Sequence, residues 1–205
     1  MHHNRTGQTS LYSRTGQRKY LTRDERLRFI AASDAHERQD IRTLCLTLAY
    51  TGCRISEALI LTGAMISADE GFIAIQCLKK RNDRVVVREV PVPESLLDLL
   101  HCVHRLEEQD PSARLWTFSR TRAWQLVKEV MARAGITKGL QASPKGLRHG
   151  FGLHAVQCGV PLHLVQRWLG HARMETTVIY LQAMGREERA IAERMWVTDA
   201  PLSAH

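Results

Sequence analysis

Apolar residues recur at helical spacing along most of the chain and alternate in one stretch only. Ile41, Leu44, Cys45, Leu48 and Ala49 share one face of a helix that Thr51 and Gly52 terminate. Upstream, Thr22 with Glu25 forms a capping box, and Leu27, Phe29 and Ile30 are expected on the buried side of the helix it starts. Gly52 turns the chain into a short helix over Ile55 to Leu61, whose apolar residues anchor Arg54 at its mouth. Phe72 to Ile75 and Arg84 to Val90 read as two strands, with Lys79 to Asp83 as a basic turn between them. Pro91 and Pro93 end the sheet, and helices are expected over Glu94 to Leu106 and from the cap at Ser119 to Gly135. Trp116 and Trp124 are candidates for stacking on bases, but core packing is the preferred assignment.

The stretch from Ser143 to Tyr180 has the densest chemistry. Ser143 and Pro144 start a helix in which Lys145 and Arg148 lie one turn apart, beside an apolar stripe of Leu147, Phe151, Ala155 and Val156. Gly159 ends it. A second helix begins at Pro161, turns Leu162, Val165 and Leu169 inward and stops at Gly170, which leaves His171 at its terminus. Tyr180 follows, between Val178, Ile179 and Leu181, on a segment that must pack on something.

Composition narrows the class of partner. The 205 residues carry a formal charge of +8, a pI near 9.6 and 44% hydrophobic residues, so a folded domain with an anionic partner is expected. No apolar run approaches the length of a membrane span and no hydrophobic signal core is present, which favours the cytoplasm. Cys45, Cys53, Cys77, Cys102 and Cys158 lack metal-ligand spacing and read as reduced core or near-core thiols. Residues 1–19 are polar without periodicity and read as a mobile basic arm, in which Arg5, Arg14, Arg18 and Lys19 are available to a phosphate backbone. Residues 20–198 read as one domain, with an amphipathic tail helix over Ile191 to Trp196 and a frayed end over 199–205.

Two fixed cations, Lys145 and Arg148, with an imidazole and a tyrosine and no acidic metal cluster nearby, suit a phosphoryl transition state whose oxygens meet the cations and whose nucleophile is the phenol. Singly, each residue has an ordinary explanation: a basic pair is usually a solvated face and a lone histidine is usually structural. Their order along the chain is more specific. The motifs T51-G52-C53-R54-I55-S56-E57, K145-G-L-R-H, L-G-H at 169–171 and T-T-V-I-Y ending at Tyr180 resemble those of the tyrosine recombinases, or phage integrases, over roughly Lys19 to Met195.

The resemblance implies a mostly helical α+β catalytic domain with a small antiparallel three-stranded sheet at one edge. It implies a site-specific recombinase that cleaves and rejoins DNA through a 3′-phosphotyrosine at Tyr180, without cofactor or metal. Arg54, Lys145, Arg148 and His171 would hold the scissile phosphate, and a hairpin lysine, Lys79 with Lys80 as runner-up, would protonate the leaving 5′ oxygen. The implied partner is double-stranded DNA with paired half-sites, bound by a homotetramer that the tail couples.

Two features depart from the family pattern. Lys145 stands where histidine is usual, so the phenol proton needs an acceptor other than an ordinary ammonium. Only about twenty residues precede the catalytic motifs, so the helical domain that clamps the opposite face of DNA is expected to be missing, which leaves room for an accessory DNA-binding protein. The competing readings are a non-catalytic DNA binder, with Pro161 to His171 as part of a helix-turn-helix, and a type IB topoisomerase-like activity.

Overall fold

The computed structural model describes residues 10–81 and 84–183, with 79–81, 84, 85, 182 and 183 described as backbone only. Three helices lead into the sheet: α1 (Arg23–Asp34), α2 (Gln39–Thr51) and the single turn α3 (Ile55–Ala58). Strands β1 (Ile66–Ser67), β2 (Phe72–Arg81) and β3 (Arg84–Pro91) form an antiparallel sheet in the order β1-β2-β3. Helices α4 (Glu94–His104), α5 (Arg120–Arg133), α6 (Pro144–Gln157) and α7 (Leu162–Leu169) follow. A last turn, α8 (Glu175–Val178), runs into a 3-10 turn over Ile179–Ala183. This is the expected helix-rich α+β architecture with its small three-stranded sheet. Among the described residues no helix is long and apolar enough to cross a membrane.

Buried apolar residues fall into two clusters. The larger gathers Phe29, Leu44, Leu48, Ile73, Ile75, Leu97, Leu126 and Val130 from the first five helices and the sheet. The smaller gathers Leu11, Phe151, Leu153, Val165, Leu169, Ile179 and Tyr180. Helix α6 joins them, since Leu147 in its first turn belongs to the first cluster and Phe151 one turn on belongs to the second. A helix buried along both faces cannot carry an amphipathic surface pattern, and α6 is buried from Gly146 through Phe151.

Several local expectations need correction. Leu27 is 51% exposed; Arg26, Phe29 and Ser33 are the residues that α1 turns inward. Lys79 to Arg81 belong to β2 rather than to a turn, with Arg81 pairing with Arg84 after a register shift past Cys77, and Asn82 and Asp83 lie outside the described residues. Within the expected arm, residues 10–19 pack: Leu11 is fully buried, Tyr12 bridges to Arg18, and Arg18 pairs with Glu25 rather than standing free for phosphate. Cys102 and Cys158 are exposed, unlike the buried Cys45 and Cys53. Arg5 and the tail helix over Ile191 to Trp196 lie outside the described residues.

Gly52 closes α2 in the left-handed conformation, at φ 61°, and so directs the chain toward Arg54. A Cβ there would lie 2.5 Å from Cδ1 of Phe151 on α6, so the two helices meet where only glycine fits. Gly52→Ala should therefore lose about 1–2 kcal/mol from the backbone conformation and a further ~1–3 kcal/mol from overpacking. Urea unfolding measures the sum, and an unchanged midpoint would show that this contact does not constrain the fold.

Candidate active site

Each arginine of the site is held by groups that the fold had to satisfy in any case. Arg54 is the N-cap residue of α3, and its own backbone N–H donates to Oε2 of Glu57 at 2.9 Å while its guanidinium donates to Oε1 at 2.6 Å. Glu57 is fully buried and takes a second cation, Nη2 of Arg88, at 2.6 Å. Arg88 points inward from β3 on the face it shares with Val90, and its Nε donates to the carbonyl of Trp168 at 2.6 Å. Arg148, on α6, donates to the carbonyls of Gly52 at 2.8 Å and of Leu169. The acceptors lie in the last turns of α2 and α7, where helix carbonyls lack intrahelical partners and the helix dipole favours cations.

Arg54 and Arg148 line one wall of a cleft of about 740 Å³ that also includes Ser56, Arg120, Trp124, Lys145, His149, His171 and Thr176. Among the described residues no carboxylate lines it, so its field is strongly positive. Lys145 is exposed, whereas Arg148 is 8% exposed, so the two cations expected on one buried face differ: Lys145 is a mobile point charge and Arg148 a fixed fork. Burial, followed by the repulsion of Arg54, pulls Arg148 down to about 10, which leaves it charged at neutral pH. Arg54 keeps 36% of its side chain exposed toward the cleft.

Tyr180 lies behind this wall with no exposed surface. Its ring stacks on His171 at 6.3 Å and 15°, and rests where a Cβ on Gly152 would come within 2.5 Å of Cζ. Its hydroxyl lies 3.2 Å from Nδ1 of His149, and burial pushes the phenol up to about 12 against the opposing pull of Arg148 and Arg54. His171 keeps Nδ1 on the hydroxyl of Thr177 at 3.0 Å. Burial first, and then the surrounding cations, hold His171 down to about 3 and His149 to about 4, so both imidazoles are neutral.

The structure thus brings together Arg54, Lys145, Arg148, His171 and Tyr180, as the motif order suggested. Lys79 and Lys80 lie in β2, and their side chains are outside the described residues. Three contributors were not identified from sequence. Trp124, assigned to the core, is 47% exposed on the cleft, because the inward face of α5 is filled by Ala123, Leu126, Val127 and Val130. Arg88 had a signal: it occupies the same strand face as Val90, an inward position where a charge needs a reason. His149 stands in the K145-G-L-R-H motif, but its contact with Tyr180, 31 residues away, had no local signal. The helix-turn-helix reading of Pro161 to His171 fails, because the C-terminus of α7 is engaged by Arg88 and Arg148 and its last residues are built into the site.

The two neutral histidines have a consequence for stability. Unfolded histidine binds its proton near pH 6.5, whereas these bind theirs only near pH 4 and 3, so the unfolded chain holds more protons in between. Folding stability should fall as pH drops from about 6.5 toward 4, by up to about 1.4 kcal/mol per pH unit for each histidine. Denaturant midpoints at pH 7 and 5 read this directly, and His149→Gln should flatten the profile; a profile that is flat in the parent protein would refute the assignment.

Comparison with known proteins gives the same frame. The chain is similar to the tyrosine recombinase XerA of Pyrococcus furiosus, with 30% identity over 185 residues, 86% of this chain and 61% of that protein. It is similar to the tyrosine recombinase XerD of Neisseria meningitidis, with 33% identity over 177 residues, 78% of this chain and 57% of the relative. Its fold overlays a crystal structure of XerA recombinase with a TM-score of 0.68 and 26% identity, covering 90% of this chain and 66% of the other. The catalytic domain of bacteriophage HP1 integrase overlays with a TM-score of 0.62 at 22% identity, covering 89% of this chain and 98% of that one. The chain therefore spans about three fifths of the length of these curated relatives. With residues 19–186 matched by the model of the phage integrase family, the motif order and the assembled cleft have one explanation: the chain belongs to that family.

Proposed function

We propose that the chain cleaves and rejoins DNA strands through a covalent bond between Tyr180 and a 3′ phosphate, as a site-specific recombinase. The observation that carries this reading is the convergence of Arg54, Lys145, Arg148 and His171 on one carboxylate-free cleft, with Tyr180 packed against His171 from behind. Forked guanidinium donors suit the non-bridging oxygens of a phosphodiester, and fixed donors stabilise charge that grows in the transition state without reorganising.

In this reaction Oη of Tyr180 attacks phosphorus and its proton leaves. The bond from phosphorus to the 5′ oxygen breaks, and that oxygen receives a proton from the general acid that the family resemblance assigns to Lys79. The phosphodiester is exchanged for a phosphotyrosine ester, so a 5′ hydroxyl from another strand can reverse the step and complete the exchange. At rest the phenol lies beside His149 and His171, two residues that line the cleft. Paired half-sites and a tetramer on DNA belong to the same reading. Recombinases that resemble this chain in fold include XerH bound to its difH substrate, with a TM-score of 0.66 at 21% identity, 88% of this chain and 59% of that one.

Suicide duplexes tiled through the DNA flanking the coding sequence test the reading. The parent protein should accumulate a covalent DNA adduct, with or without chelator. Tyr180→Phe should bind the same DNA and form none, since only the nucleophilic hydroxyl is lost. A phenylalanine variant that still links to DNA would end the assignment. Arg54→Ala leaves Glu57 paired with Arg88, and should slow adduct formation by about 10²–10³-fold with little change in affinity. Equal losses in binding and cleavage would make Arg54 an ordinary backbone contact.

A further inference from the structure

The cations of the cleft account for the phosphate but leave the phenol proton without a destination. Lys145, at the position where an imidazole is usual in the family, is an ammonium and has no lone pair to offer. His171 lies nearly parallel to the tyrosine ring with centroids 6.3 Å apart, and its Nδ1 is on the hydroxyl of Thr177 rather than on the phenol oxygen. One described nitrogen does face that oxygen.

We propose that His149 takes the proton of Tyr180 as strand cleavage proceeds, an inference that rests on the DNA-cleavage reading above. Its Nδ1 is 3.2 Å from the phenol Oη, within reach of direct transfer. It is 7% exposed, yet it lines the cleft beside Arg148, so one turn of α6 offers a cation to the phosphate and a base to the nucleophile. Accepting at Nδ1 places the imidazole proton on Nε2.

The groups around His149 explain why the tyrosine is inert at rest. Lys145 and Arg148 of α6, together with Lys19, oppose a positive charge on the ring, and burial opposes it more; Tyr180 and the neutral His171 complete the surroundings. A phosphodiester seated against Arg148 and Lys145 adds a negative charge that offsets those cations and makes the imidazolium tolerable. Formation of the bond between Oη and phosphorus acidifies the phenol at the same time. The balance is complete: the Oη–H bond breaks and its proton binds Nδ1, the Oη–P bond forms, the P–O5′ bond breaks, and the 5′ oxygen is protonated by the general acid. In the reverse direction the imidazolium returns its proton to the phenol as the 5′ hydroxyl attacks.

The test uses the full chain and a suicide duplex at the mapped cleavage position. His149→Gln can still accept a hydrogen bond from Tyr180 but cannot take its proton. It should bind DNA normally, remain folded at neutral pH and form the adduct about 10²–10⁴-fold more slowly. A duplex with a 5′-bridging phosphorothiolate, whose leaving group needs no proton, should not restore the rate. Added imidazole, or a rise from pH 7 to 9, should partly restore His149→Ala, which a merely packing role would not allow. A glutamine variant at the parent rate would overturn the proposal, as would rescue by the phosphorothiolate or an alanine variant that neither imidazole nor alkali rescues. A parent protein that forms no adduct on any duplex sinks the cleavage reading itself, and this proposal with it.

Discussion

One buried carboxylate organises the basic side of this molecule. Glu57 has no exposed surface and is met by Arg54 on one oxygen and Arg88 on the other, in a medium where an unpaired charge would be prohibitive. Burial pushes Glu57 toward its neutral form, but the two arginines outweigh it and hold the carboxyl below its ordinary range. Leaving such a buried carboxylate with no partner typically costs about 3–5 kcal/mol, so Glu57 holds the buried Arg88 in place and Arg54 shares the same acceptor. Arg88 extends the chain of constraint to the end of α7 through Trp168, and Arg148 joins α7 to the end of α2 through Leu169 and Gly52.

The consequence is a set of cations oriented before any substrate arrives. Helix ends supply carbonyls that need donors, and Arg148, which answers two of them, also lines the cleft, so a structural requirement and a proposed catalytic one coincide in the same side chain. Pre-orientation of this kind contributes more to a charged transition state than the same charges on flexible stems in water. The field that results has a second effect behind the cleft wall. Burial first, and that field second, keep His149 and His171 uncharged, and Tyr180 is stored there as a neutral phenol in an apolar cluster with Leu169 and Ile179.

Local errors in reading the chain share a cause. Leu27 and Trp124 are apolar residues on helices whose inward faces are already filled, by Phe29 on α1 and by Leu126, Val127 and Val130 on α5, and a helical period fitted to one residue cannot tell a face from its edge. The lysines after Leu78 have turn-like polarity, yet the strand continues past them to Arg81, whose backbone pairs with Arg84 whatever the side chains are. Arg18 was free in the sequence and bound in the fold for the reason that Glu25, its partner, was already counted in a cap.

What the sequence determined by itself were features whose cause lies within a few residues. The Thr22–Glu25 capping box, the Ser119 and Ser143 caps and the left-handed closures at Gly52 and Gly170 all stand where spacing placed them, because each needs only its neighbours. The order of Arg54, Arg148, His171 and Tyr180 along the chain was equally visible. Tertiary structure alone decided that Arg88 shares Glu57, that Lys145 is exposed while Arg148 is buried, and that His149 rather than a lysine faces the phenol. Those outcomes depend on which groups lose water together and on charges from helices far apart in sequence, and neither quantity is carried by any local stretch of the chain.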